Sequence, residues 1–329
     1  MKVNVIAGVA AALVAAVLVG VTLVESRHAG PSKVTLPAVS KPLKNAPPLS
    51  LDLGLRDDAE TRALDHASTL YRTGHRPAAR VIFARYHSLP AQIGAAFAGW
   101  PEGGLDTMKR LVASHPHSAL AELHLGWAFY WSGRTADAIH AWEQAIRVEP
   151  DSPSAVNAAD PLHPSDAPGL PYIVTTLRPP AGAAALPAAQ ELRALQRGAE
   201  RPGATADAKV LYGIALWNLR RPLSAEKQFR AAAALAPNDP MALTAAAVGS
   251  FSKARPVVAF SRLGPLTGRF PKSSVVRFHL GVLLLWTHEF AKARTQLQLA
   301  VSFDPGSPYA AQAKRLLTVL AATGTKGKK

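Results

Sequence analysis

The chain has 329 residues, no cysteine, and 37 Lys and Arg against 22 Asp and Glu, a formal net charge of +15. The missing cysteines exclude disulfides and thiolate chemistry. Hydrophobic residues make up 48% of the chain, ample for a core, and the heavy use of Ala in its middle points to an all-helical fold.

The first segment is apolar. From Val3 to Val24 the only polar side chains are Asn4 and Thr22. A helix of that length covers about 33 Å, enough to cross a hydrocarbon core of roughly 30 Å. A secretory signal has a shorter apolar region and small residues at its cut, whereas Arg27 stands two residues before the best site, Ala29. Residues 1–25 are therefore expected to be an uncleaved single-pass transmembrane anchor, its arrangement resembling a signal-anchor with the domain outside the cytoplasm. Residues 26–55 follow as a linker. Gly30–Ser50 holds five prolines, three lysines and no acid, which predicts an extended spacer.

Residues 56–152 read as helical hairpins. Asp57–Tyr86 has an amphipathic run to Tyr71, a break at Gly74, then Ala79 and Phe83 one turn apart. Beyond it lies a repeat. Gly126, Ala138, Trp142, Ala145 and Pro150 are separated by twelve, four, three and five residues. The same steps give Gly213, Ala225, Phe229, Ala232 and Pro237, and again Gly281, Ala293, Leu297, Ala300 and Pro305. A looser copy is Ala247, Ala259, Leu263, Leu266 and Pro271; the loosest is Gln92, Gly104, Met108, Leu111 and Pro116. The small residues let two helices touch, the large one fills the space between them, and the proline ends the second helix. Between Pro153 and Ala206 the phase is interrupted. Prolines at 161, 164, 168, 171, 179 and 180 exclude a continuous helix in the first half of 153–205. There Tyr172–Leu177 is β-prone and suited to lie extended across the array, and Ala184–Glu200 returns to helix. Residues 206–307 hold three repeats in register, and 308–329 read as a capping helix and basic tail that shield the last apolar face.

A 34-residue period with Leu-Gly in the first helix, Ala-aromatic-Ala in the second and a closing Pro resembles the tetratricopeptide repeat. The likeness is closest over 119–152, 206–239 and 274–307. It implies an all-α, right-handed superhelical solenoid of hairpins, here preceded by one transmembrane helix.

Nothing suggests catalysis. No phosphate-binding glycine loop, nucleotide fingerprint or HExxH helix is present, and no cofactor or metal is expected. Asp160, His163 and Asp166, with His115 and His117, are the nearest to a ligand set, but alternating Asp and Pro more often mark turns. His124 and His279 sit at equivalent places before Leu-Gly, where a partly buried ring at a hairpin contact is the favoured reading. In the tetratricopeptide family the first helices line a concave surface that binds peptides. The corresponding groove residues are Trp127, Tyr130, Trp131, Ile214, Trp217, Phe251, Phe278 and Trp286. The lysines and asparagines with which some members grip a peptide carboxylate have no counterpart at Leu123, Val210, Thr244 and Phe278. An apolar stripe of this kind asks for a partner, so the expected function is a membrane-anchored scaffold holding a partner protein segment. A second expectation rests on charge. From Pro240 onward there are thirteen basic residues against Glu289 and Asp304. Lys253, Arg255, Arg262, Arg269, Lys272 and Arg277 would then form a basic patch for anionic lipid, acidic protein or, less naturally, nucleic acid. No small-molecule substrate is indicated.

Overall fold

The computed structural model describes residues 37–39 and 41–326. The expected anchor, Val3–Val24, lies outside them; among the described residues no helix is long and apolar enough to cross a membrane. The described chain is all-helical, without strands, and divides into two compact units that meet in sequence at Leu162 and His163.

The N-terminal unit contains α1 (Ala59–Arg72), α2 (Arg76–Phe83), α3 (Leu89–Ala98), α4 (Gly104–Ser114), α5 (Ala119–Trp131), α6 (Thr135–Val148) and α7 (Pro153–Leu162). The first six pair as three hairpins and α7 packs on the last. The C-terminal unit repeats this plan. Its hairpins are α9 (Ala206–Asn218) with α10 (Pro222–Leu235), α11 (Pro240–Val248) with α12 (Val257–Leu263) and α13 (Leu266–Arg269), and α14 (Ser274–Trp286) with α15 (Phe290–Phe303). The closing helix α16 is Pro308–Lys326, and one extra helix, α8 (Ala188–Glu200), precedes the first hairpin.

Sequence dictates the two kinds of helix start. Every first helix opens on a side chain that accepts from a backbone amide of its first turn: Asp58, Ser88, Ser118, Thr205, Asp239 and Ser273. These satisfy donors that the helix itself leaves open. No second helix has such a cap. In five hairpins one turn residue is left-handed: Gly74 (φ 87°), Gly103 (φ 65°), Gly133 (φ 78°), Arg220 (φ 55°) and His288 (φ 58°). Second helices end two residues before their proline, at Ser114, Val148, Leu235, Arg269 and Phe303, since a residue preceding proline is driven out of the helical region.

The small–large code is realised in contact. A Cβ on Gly126 would collide with the Trp142 indole, and one on Gly281 would come 2.8 Å from Leu297. Gly213 would meet Phe229 at 2.5 Å, and Gly249 is pressed against the same ring. Large side chains thus wedge between helices whose backbones offer no side chain there.

Two local details go beyond the sequence. The stretch after Pro153 is not one continuous helix but opens on a short one, α7, because Pro153 takes a first-turn position where its missing N–H is not needed. Ser152 caps that turn, accepting from Ala155 N at 3.1 Å, and Pro161 falls next to the helix end. In the 240–273 repeat the second helix is broken into α12 and α13, for Gly264-Pro265 interrupts it.

Candidate functional site

In each unit an extended segment of the chain lies on the face made by the first helices. In the N-terminal unit this strap is residues 37–39 and 41–53. Leu43 N donates to Trp131 O at 2.9 Å, Tyr71 Oη donates to Pro47 O at 2.5 Å, and Ser50 N donates to His124 Nε2 at 3.3 Å. In the C-terminal unit residues 165–177 repeat the arrangement. Ala167 N donates to Trp286 O at 2.9 Å, Trp217 Nε1 donates to Pro171 O at 2.6 Å, and Val174 N donates to His279 Nε2 at 3.0 Å. Trp131 and Trp286 end equivalent helices, and Tyr71 and Trp217 each stand one residue before the end of theirs. The two units therefore hold their straps by the same three backbone groups in the same order.

The histidines define this register. His124 and His279 are fully buried, and each directs Nδ1 at the carbonyl one turn back, Leu120 O and Val275 O, both at 2.7 Å. Nδ1 must carry the proton to bond a carbonyl, which leaves Nε2 as the acceptor for the strap amide. Burial pushes both rings down to about 4, against the pull of those carbonyls. The neutral form is thus the one that latches the strap. Burial likewise raises the Tyr71 hydroxyl above its ordinary range, keeping it protonated as a donor.

Further contacts seat the first strap. Val39 N donates to Thr135 Oγ1 at 3.0 Å, and Tyr130 Oη donates to Pro37 O at 3.1 Å. Trp131 Nε1 donates to Asn45 Oδ1 at 3.2 Å, and Asn157 Nδ2 donates to Ser50 Oγ at 2.9 Å. Val39 and Leu43 pack with Trp127, Tyr130, Trp131 and Trp142, while Leu49, Leu51 and Leu53 pack with the core around Leu64 and Tyr71. In the second strap Tyr172 makes ring contacts with Phe278 at 5.9 Å and Trp286 at 6.0 Å.

The expected groove residues accordingly divide. Trp127 and Trp131 are half-buried beside the first strap, with Tyr130 buried among them. Ile214, Trp217, Phe251, Phe278 and Trp286 are buried, the two tryptophans at 2% and 1% exposure; they are core beneath a strap and not an open stripe. Trp131 belongs to the N-terminal unit, and Trp217 and Trp286 to the C-terminal one. Tyr172–Leu177 does run extended on the first helices. The partners that sequence reading missed are Tyr71, Thr135 and the strap carbonyls. Their only outward signal was the pair of histidines ahead of Leu-Gly.

The basic residues also behave differently from an open patch. Lys253 is buried at 7% exposure. Arg277 is half-buried and donates to Gln296 Oε1, Thr267 O and Pro271 O. Arg269 donates to Pro237 O and Asn238 Oδ1, and Arg262 pairs with Glu226 at 3.6 Å. Arg255 and Lys272 are exposed. Guanidinium groups here brace the turns of the irregular 240–273 hairpin. Among the described residues no group of three or more His, Asp or Glu side chains is placed to hold a metal ion.

Paired helices, glycine–aromatic wedges and closing prolines define a helical-hairpin repeat protein. Residues 95–156 match the tetratricopeptide repeat family model. No curated protein matches it. Among solved structures it resembles YrrB, a tetratricopeptide protein with an unusual peptide-binding site, at 14% identity, covering 64% of this chain and 99% of that one with a TM-score of 0.32. It also resembles a tetratricopeptide protein of Parabacteroides merdae at 12% identity, covering 80% and 98%, TM-score 0.35. The TPR2AB domain of yeast Sti1, solved with pHSP90, gives 13% identity, 80% and 98% coverage and a TM-score of 0.31. At these scores the likeness is distant.

Proposed function

We propose that the chain is a protein-binding scaffold whose first-helix face receives an extended polypeptide segment. The observation that supports the reading is the seating of residues 37–53 on that face through backbone-directed hydrogen bonds and half-buried tryptophans. A surface that holds one extended strand of chain has the donors, acceptors and apolar walls to hold another. The tetratricopeptide match over 95–156, which includes α5 and its aromatic residues, supports the same reading. To test it, a photoreactive amino acid is placed at position 127, on the first-helix face, or at Val81, which is 58% exposed on α2, in the full chain expressed in cells. Cross-links to a partner protein are expected from 127 and not from 81. Equal cross-linking from both positions, or adducts from 81 alone, would reject the scaffold reading.

The apolar run Val3–Val24 supports attachment of this scaffold to a membrane. The full chain is then expected to sediment with membranes and to stay there through high-salt and carbonate washes. Release into the soluble fraction would count against an anchor.

A further inference from the structure

The two straps are held alike but not equally deeply. In the C-terminal unit Ala167, Gly169, Pro171, Tyr172 and Ile173 are buried, and that strap is part of the core. In the N-terminal unit, of residues 41–53, Pro47 alone is buried; the others are half-buried or exposed. The bonds that fix this first strap engage its backbone at Pro37, Val39, Leu43, Pro47 and Ser50, and Asn45 and the Ser50 hydroxyl contribute side-chain atoms. Backbone bonds carry little sequence information, so any extended segment able to present them satisfies the same seats. Selection is left to the apolar packing of Leu43 and Leu49 against the core and to the buried ring of Pro47.

We infer that the N-terminal unit binds an extended, proline-bearing segment of a partner protein by displacing residues 37–53, which are a built-in stand-in for it. This rests on the scaffold reading above and adds the chemistry and register of what is held. The ligand presents an amide to Trp131 O, a carbonyl four residues later to Tyr71 Oη and an amide three residues after that to His124 Nε2. It carries apolar side chains where the strap has Leu43 and Leu49 and a proline at the central carbonyl. The strap, being tethered, competes at high effective concentration, so the free face is presented only to a segment that fits better or is delivered at high local concentration.

The test uses the full chain and a fluorescein-labelled synthetic peptide of residues 37–54. In a second chain the strap is weakened by Leu43→Asp and Ser50→Pro, which remove an apolar contact and the amide that reaches His124 but leave the helices untouched. The weakened chain is expected to bind the peptide at least tenfold more tightly than the parent, and a peptide carrying the same two substitutions is expected to lose that binding. A second measurement needs no variant: excess unlabelled peptide should speed hydrogen exchange at the Leu43 and Ser50 amides of isotope-labelled parent chain. Equal binding by both chains, or parent exchange unmoved by peptide, would overturn displacement. If cross-linking from position 127 persists in that case, the scaffold reading stands without it; if cross-linking is lost as well, both fall.

Discussion

Acidification from pH 7 to pH 4 is expected to remove about 3 kcal/mol of stability through His279 alone, and a similar amount through His124. Each ring titrates at about 4 in the folded chain against an ordinary 6.5, and one pKa unit corresponds to about 1.4 kcal/mol. The folded-state value is depressed, so the unfolded chain takes up the proton first. The contribution is whole above about pH 6.5, declines as pH falls towards 4, and changes no further below that. The cause is visible in the geometry. A proton on Nε2 faces the strap amide, Val174 N or Ser50 N, so donor meets donor and the latch opens. Urea unfolding at several pH values checks this for the parent and for His279→Gln, which cannot titrate. His163 and His288 also lie below their ordinary range through burial, with Lys253 adding to it, and act in the same sense; they are common to both chains and cancel in the comparison. Parallel pH dependence in the two proteins would show that His279 does not gate the strap.

Truncating Phe229 is expected to be the costliest single change in the C-terminal unit. The ring is fully buried, meets Trp217 edge-on at 6.3 Å, and occupies the space that a Cβ on Gly213 or Gly249 would need. Three helices, α9, α10 and α11, therefore lean on one side chain. Phe229→Ala leaves a cavity among backbones that cannot close without sliding, at a cost of roughly 3–5 kcal/mol. Gly213→Ala in the parent is overpacked and should cost about 1–3 kcal/mol. In the Phe229→Ala background the same substitution gains room and should cost far less, so the pair should be strongly non-additive. Additive losses in urea denaturation would mean that the two residues do not share the wedge.

What the sequence disclosed follows from how local each cause was. Gly126, Ala138, Trp142 and Pro150 act within one hairpin, and their spacing alone placed α5 and α6. The same code placed α14 and α15. It failed where a non-local contact or a breaker intervened. Gly264-Pro265 split one second helix, and Ser152-Pro153 started a helix inside a run of prolines. The aromatic residues were found, but not that most are covered. A strap bound through backbone atoms leaves little trace in its own side chains: residues 41–53 and 165–177 share the prolines at 47 and 171, the leucines at 53 and 177 and an apolar drift, and otherwise differ. The arginines from Arg262 to Arg277 illustrate the converse. Charge is legible in sequence, but whether a guanidinium is free or tied to a carbonyl depends on turns that only the folded chain supplies.

The order in which the N-terminal unit assembles follows from where its strap bonds. Hairpin contacts such as Gly126 with Trp142 join residues sixteen positions apart and form early. The strap bonds to His124, Trp131, Thr135 and Asn157 span 74 to 107 residues, and contacts of such separation wait on loop closure. They also require α1 and α5 to be standing together, since one strap carbonyl is held by Tyr71 and the next amide by His124. During synthesis residues 37–53 leave the ribosome before any helix of the unit exists. The first stretch of this unit to be made is therefore the last to find its place.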